Sequence, residues 1–324
     1  MNLNPRTRCP YTLKLLTELV AVSDEHVIPD ALGCPASYSV RADTAINSEL
    51  GRSADSNFVD SFFVRMLRSQ HGVKSRSGPA SMLMEGTTVD GGHPVRVTLP
   101  HERSAEVYFK KPFESAEDGM GGSLVAGADW EKKFAELKRN FARKGKKVEI
   151  SSRETIASTT VHGQAEINLT HLKAGLMKIA YLAAFEYLGD PFLDDQINAE
   201  WQKAIRATEL GQMEDVKIHG CCFDGADILK ALLPAIEAHQ HAIVVTRFPS
   251  IGAIVGVRLF GSPVLSICLR VSESQDFGLE ELQGKLVVLD AKTKVIQSSS
   301  FKEFFLQKCG VHPPTTAPDN TEVT

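Results

Sequence analysis

The sequence has little of what marks a membrane protein, a secreted scaffold or a strongly charged binder. No apolar run approaches the roughly 20 residues that span a bilayer, and residues 1–10 lack the apolar centre of a signal peptide. Six cysteines are scattered without a regular framework, which predicts free thiols in a reducing cytoplasm. The net charge of −4 does not by itself indicate a nucleic-acid binder. These absences leave an ordinary globular chain, long enough for two domains, for which we expect a cytoplasmic location.

Chemistry-bearing residues concentrate in one stretch, residues 23–51, which reads SDEHVIPDALGCPASYSVRADTAINSELG. Glu25 and His26 are adjacent there, and Asn47 begins an apolar, helix-like run after a Leu-Gly turn and a short alternating segment. This spacing suits a compact strand–loop–strand–helix unit. Such a unit can bring a carboxylate, an imidazole and an amide oxygen together around one cation.

These residues resemble the motif of the HNH endonucleases, which reads roughly Asp/Glu-His-Ile/Val-x-Pro, a Leu-Gly-Gly turn, and Cys-Asn before a helix. The resemblance implies that Glu25 is the acidic metal ligand, that His26 is the general base, and that Asn47 is the second metal ligand. It also implies an α+β fold class, with an N-terminal ββα-metal unit followed by a larger mixed α/β domain. The Asn or His that orients the base in that family has no clear match, and Ser37 and Ser39 are the nearest polar positions.

The expected reaction explains why these residue types are needed. Histidine titrates near neutrality and can take a proton from the attacking water. One divalent cation held by oxygen ligands, Mg²⁺ or Mn²⁺, neutralises the charge that builds on the phosphate. The sequence therefore predicts a metal-dependent endonuclease that hydrolyses phosphodiester bonds. Double-stranded DNA is the expected partner, and the resemblance suggests antiviral defence as a setting.

Many members of that family also hold a structural zinc ion between two Cys-x-x-Cys knuckles, and neither knuckle is complete here. Only Cys9 remains of the first, at residues 9–12, and the second, at residues 43–46, has no cysteine. Because one thiolate cannot build a four-coordinate site, we expect no structural zinc. We expect residues 11–22 to form a short helix instead, with Leu13, Leu16 and Val20 directed inward.

Two segments are rich in basic side chains that can contact phosphates. The first is a helix predicted over residues 53–70, and the second is an amphipathic helix predicted over residues 129–144, in the most basic part of the chain. A solvated surface is the alternative explanation of both. The candidate nucleic-acid contacts are Arg52, Arg65, Arg68, Lys138 and Arg139.

A Gly/Ser/Pro-rich link at residues 72–80 predicts a domain boundary. We therefore expect a nuclease unit over residues 1–78 and an α+β domain that positions the substrate over residues 79–310. Residues 311–324 are expected to be a disordered tail.

Elements of the second domain can be placed from their patterns. The turn signal at residues 90–92 predicts a hairpin. Residues 170–188 predict a long helix ended by Gly189, and residues 242–290 are rich in predicted strands.

Two other functions stay open. The chain can be a nucleic-acid or protein-binding module that descends from an HNH nuclease and is no longer catalytic, which the missing base-orienting residue and the lost knuckles favour. It can also be an unrelated enzyme with its site in residues 148–300, although no nucleophile elbow, nucleotide-binding loop or paired-histidine motif occurs there. The choice between a monomer and a homodimer is open as well.

Overall fold

The chain is a mixed α+β protein, as predicted. It divides into two compact units: one comprises the described residues of Met1–Ser61 and Asn168–Thr324, and the other comprises those of Phe62–Ile167. This division differs from the predicted boundary at residue 78, because the elements after residue 168 pack with the N-terminal segment. The computed structural model describes residues 4–75, 78–89, 92–99, 104–115, 122–127, 129–152, 160–214, 216, 220–222, 230–272 and 277–311.

The first unit begins with a hairpin and a helix in the predicted order. Strand β1 (Val22–His26) pairs antiparallel with β2 (Ser39–Asp43), and α1 (Thr44–Leu50) follows directly. Asp43 begins the helix because its Oδ1 accepts hydrogen bonds from the backbone N–H groups two and three residues later, at 2.9 and 3.1 Å. Residues 22–50 are termed the hairpin–helix segment below.

The single helix predicted over residues 53–70 is divided in the structure. A π-helical turn (Gly51–Asp55) continues α1 and leads into α2 (Ser56–Val59). The helix ends at Val59, and the next helix, α3 (Phe62–Gln70), belongs to the second unit.

The predicted short helix over residues 11–22 is wrong. Only a 3₁₀ turn forms there, at Leu16–Glu18. Leu13 and Val20 are 40% and 105% exposed, so they do not support the segment from inside.

The described residues of the second unit form short strands and two helices. A four-stranded antiparallel sheet has the order β10-β5-β6-β7, and the β5–β6 pair confirms the predicted hairpin, although residues 90 and 91 lie outside the described part of the chain. The second helix, α4, has no buried residue. The elements after α3 are β3 (Lys74–Ser75), β4 (Gly78–Pro79), β5 (Met82–Thr88), β6 (Pro94–Leu99), β7 (Glu106–Phe109), β8 (Phe113–Ser115), β9 (Gly122–Leu124), α4 (Trp130–Ala142) and β10 (Val161–Gly163).

The rest of the first unit is a long central helix and a six-stranded antiparallel sheet. The sheet has the order β11-β14-β13-β12-β15-β16, and α5 packs against β12, β13 and β14. The elements are α5 (Leu169–Leu188), α6 (Asp190–Leu193), α7 (Asn198–Arg206), α8 (Leu210–Glu214), β11 (Gly220–Cys222), β12 (Gln240–Phe248), β13 (Gly252–Arg258), β14 (Ser266–Arg270), β15 (Gly284–Asp290), β16 (Ile296–Ser300) and α9 (Phe301–Lys308).

Helix α5 confirms the prediction for residues 170–188 and is buried on nearly every side. A helix that is apolar all round belongs in a core. Among the described helices, none combines the length and the apolar character needed to cross a membrane. All of the predicted tail at residues 311–324 except Val311 lies outside the described residues.

The loop between β1 and β2 packs against the large sheet. His241 Nε2 on β12 lies 2.9 Å from the backbone oxygen of Leu32, and Lys294 Nζ donates to Asp30 Oδ1 at 2.9 Å. Gly33 has φ +88°, and a Cβ there would lie 2.2 Å from the backbone oxygen of Ala291. Only glycine satisfies both constraints, so this residue fixes the hairpin–helix segment against the sheet.

Candidate active site

Strand β1 separates the side chains of Glu25 and His26, because neighbouring residues on a strand point to opposite faces. Glu25 is 3% exposed and lies opposite Val40, which is also buried. His26 is partly exposed and lies opposite Ser39. The hydroxyl of Ser39 donates to the backbone oxygen of Ala36 at 2.9 Å. Because its proton is used in that bond, Ser39 does not donate to the imidazole.

Asn47 lies within α1 as its fourth residue, not at the beginning of the helix. Its Nδ2 donates to Ser23 Oγ at 3.0 Å and to the backbone oxygen of Asp24 at 3.1 Å. Its Oδ1 accepts no hydrogen bond within the part of the chain that the structure describes. Asn47 therefore reaches β1 beside Glu25, but it presents its amide nitrogen to the strand and its side chain does not contact the Glu25 carboxylate.

The Glu25 carboxylate instead meets a buried ammonium group from α5. Lys178 Nζ lies 2.6 Å from Glu25 Oε1 and 2.6 Å from Asp55 Oδ2. The side chains of Lys178 and Asp55 are 2% and 21% exposed. These three residues are termed the ionic cluster. Neither Lys178 nor Asp55 was among the predicted site residues.

The ionic cluster shifts the pKa values of Glu25 and Lys178. Burial raises the pKa of Glu25, and the charge of Asp55 raises it further. The charge of Lys178 lowers this pKa but offsets only part of the rise. Burial lowers the pKa of Lys178, but the two carboxylates raise it by more, so its pKa lies above the ordinary value. The ammonium group is therefore protonated at neutral pH and is the cation of this site.

Tyr11 borders the ionic cluster. It is 7% exposed, and burial, then the charges of Glu25 and Asp55, raise its pKa well above the ordinary value. Its hydroxyl oxygen is buried without a hydrogen bond of ordinary geometry among the described residues, although it lies close enough to Glu25 to affect its pKa. The phenol is neutral, and its hydroxyl faces the Glu25 carboxylate.

The ionic cluster forms because α2 and α5 approach each other closely. Gly175 is three residues before Lys178 on α5, and a Cβ there would lie 2.2 Å from Cγ of Phe58. Phe58 is fully buried and three residues after Asp55. The absent side chain at position 175 thus lets the π-helical turn bring Asp55 to the ammonium group.

The positions of the two incomplete knuckles are adjacent in space. Cys9 is fully buried, and its Sγ accepts a hydrogen bond from the backbone N–H of Asp43 at 3.3 Å. The turn that follows Cys9 is tied to α5 and α7, because Tyr181 Oη and Gln202 Nε2 both donate to the backbone oxygen of Pro10, the latter at 2.7 Å. A polar network therefore holds this turn in place.

The oxygen donors of the ionic cluster are of the type that a hard divalent cation takes. Glu25 and Asp55 direct oxygens at one point, and the Lys178 ammonium group occupies that point as a stand-in cation. Burial raises the pKa of Cys34 to about 12, so this thiol is not a thiolate ligand. Among the described residues, no three His, Cys, Asp or Glu side chains are grouped to hold a metal ion. The two carboxylates are oxygen donors of the kind that Mg²⁺ or Mn²⁺ takes, but the Lys178 ammonium group fills the space between them.

Four of the five predicted nucleic-acid contacts are exposed: Arg52, Arg65, Lys138 and Arg139. Arg68 is different, because it lies on the inward side of α3 and is 7% exposed. Arg68 is therefore not placed to contact a phosphate, and the prediction for it is corrected.

Comparison of the chain with protein-family models, with curated proteins and with solved structures gives no match.

Proposed function

We propose that the chain is a metal-dependent endonuclease that hydrolyses phosphodiester bonds in double-stranded DNA, with His26 as the general base. The observation that supports this most is that His26 is partly exposed at the end of β1 and follows Glu25, whose carboxylate belongs to the buried ionic cluster. Burying charges is costly unless they are paired, and perturbed titratable groups concentrate at functional sites. If the segment had only a structural role, apolar side chains at these positions would stabilise it at least as well as the buried charges do.

The roles follow from the chemistry of the residues. Neutral His26 removes a proton from the water that attacks the phosphorus, since an imidazole titrates close to the working pH. A divalent cation, when bound, neutralises charge on the phosphoryl and leaving oxygens. Glu25 and Asn47 are its predicted ligands, and Asp55 supplies a further carboxylate.

Exposed basic residues support contact with a polyanion. Arg52 lies in the π-helical turn that continues α1, and Lys138 and Arg139 lie on α4, a helix with no buried residue. Arginine and lysine at such positions give affinity for the phosphate backbone that is independent of sequence and falls with salt.

The test is nicking of supercoiled plasmid in Mg²⁺ or Mn²⁺ by the wild type and by His26→Ala. We expect the variant to lose at least about a hundredfold in rate, with DNA binding in a mobility-shift assay unchanged. His162→Ala is the matched control, because it removes an exposed histidine of the second unit and is expected to nick normally. Undiminished nicking by His26→Ala would refute the assignment.

A second candidate is the non-catalytic binding module. One observation favours it: the Lys178 ammonium group already neutralises Glu25. On this alternative the wild type binds DNA or a protein but leaves plasmid intact in either cation. Cleavage that depends on His26 removes this candidate.

A further inference from the structure

The ionic cluster has the features of a cation-binding pocket whose occupant is a side chain. Two carboxylates from separate elements, the end of β1 and the π-helical turn, place oxygens 2.6 Å from one nitrogen. The buried hydroxyl of Tyr11 faces the Glu25 carboxylate as well. Oxygen donors from several elements converging on a point are what a hard cation requires.

We propose that Lys178 is a built-in competitor of the divalent cation: the ammonium group and the metal ion occupy the same pocket between Glu25 and Asp55 and exclude each other. The inference rests on the proposed function only in taking Glu25 as a cation ligand. It adds a regulatory role for a residue on α5 that the HNH-like motif does not contain.

The competition follows from charge and tethering. Two carboxylates are matched by a divalent ion more fully than by one ammonium group, which leaves excess negative charge in the pocket. However, Lys178 is attached to the buried helix α5, and a tethered group acts at an effective concentration of the order of millimolar or more. A metal ion must displace this group, so the wild type binds it weakly.

Of the three side chains in the ionic cluster, that of Asp55 is the most exposed. Asp55 is 21% exposed, whereas the Glu25 and Lys178 side chains are 3% and 2% exposed. An entering ion therefore meets Asp55 first and reaches Glu25 when the ammonium group moves away. Asp55 is therefore a second carboxylate ligand of the metal ion, alongside Glu25.

The experiment is a titration with Mn²⁺ alone, in which the electron paramagnetic resonance signal of free Mn²⁺ reports the amount bound. Wild type, Lys178→Met and the triple variant Glu25→Gln, Asp55→Asn, Lys178→Met are compared. Methionine keeps the unbranched apolar stem and removes the charge. We expect Lys178→Met to bind one more Mn²⁺ than the triple variant, at least about tenfold more tightly than the wild type does, a factor that corresponds to 1.4 kcal/mol. The triple variant controls for unrelated surface binding, because it lacks both carboxylates.

If Lys178→Met is insoluble without metal, refolding in Mn²⁺ and in EDTA replaces the titration, and a higher soluble yield in Mn²⁺ is expected for this variant alone. Equal affinity of Lys178→Met and wild type, or equal yields, would overturn the inference. Plasmid nicking is not involved, so the two proposals fail separately. A wild type that does not nick removes the proposed function, and a gain of one Mn²⁺ by Lys178→Met still supports the competition.

Discussion

Helix α5 contains two buried charged residues, Lys178 and Glu186, whose ion pairs differ mainly in their access to water. Lys178 pairs with two carboxylates, and its side chain is 2% exposed. Two turns later Glu186, 10% exposed at its side chain, pairs with Lys285 at 3.0 Å and with Arg6 at 3.7 Å. The side chains of Lys285 and Arg6 are 25% and 30% exposed.

The difference predicts that two charged residues of one helix contribute very different amounts to the stability of the fold. If one partner of the Glu186 pair is removed, water and Arg6 still reach the remaining charge. If Lys178 is removed, two carboxylates face each other in the core. Partly hydrated pairs contribute little to stability, whereas breaking a buried pair leaves an uncompensated charge. Three substitutions test this comparison.

The largest loss of stability is expected for Lys178→Met. Two carboxylates are left without their cation, and the free energy of unfolding falls by about 3 to 5 kcal/mol, as measured by urea denaturation without divalent ions. The triple variant that also neutralises Glu25 and Asp55 should recover most of this loss. If the free energy of unfolding fell by less than about 1 kcal/mol, the ion pairs of Lys178 would contribute no more than exposed pairs do, and the contrast with Glu186 would disappear.

An intermediate loss is expected for Gly175→Ala. The new Cβ would overlap the ring of Phe58 at 2.2 Å, so α2 must move away from α5, and overpacking of this kind costs about 1 to 3 kcal/mol. Gly211→Ala is the matched control, since an added Cβ there meets nothing within 4 Å. An unchanged or raised stability of Gly175→Ala would mean that the contact between the two helices adjusts freely.

The smallest loss is expected for Lys285→Met. Arg6 remains near Glu186, and the site is open to water, so the free energy of unfolding falls by about 1 kcal/mol or less. Raising the salt concentration should shrink the difference between this variant and the wild type further. A loss as large as that of Lys178→Met would show that exposure does not separate the two pairs.

Local patterns predicted much of the fold. Helix α5, ended by Gly189, and the β5–β6 hairpin were found where apolar periodicity and turn residues place them. The hairpin–helix segment forms its elements in the predicted order. The burial of Arg68 was missed because a basic residue is ordinarily assigned to the exposed face of a helix.

The candidate site was predictable only in part. Glu25, His26 and Asn47 are close in sequence, and a motif can join them. Lys178 pairs with Asp55 across 123 positions, and no local pattern links residues so far apart. One signal was present nonetheless: a lysine inside the otherwise apolar run GLMKIAYLAAF needs a buried anion.

The network at Tyr181 sets an order of events during synthesis. The turn after Cys9 is bonded to Tyr181 and Gln202, and Glu25 finds its counter-ion only at Lys178. A ribosome makes the N-terminal segment first, yet its partners emerge more than 150 residues later. Contacts of such long range form slowly. The Glu25 carboxylate of the nascent hairpin therefore lacks its Lys178 partner until the second half of the chain has been synthesised.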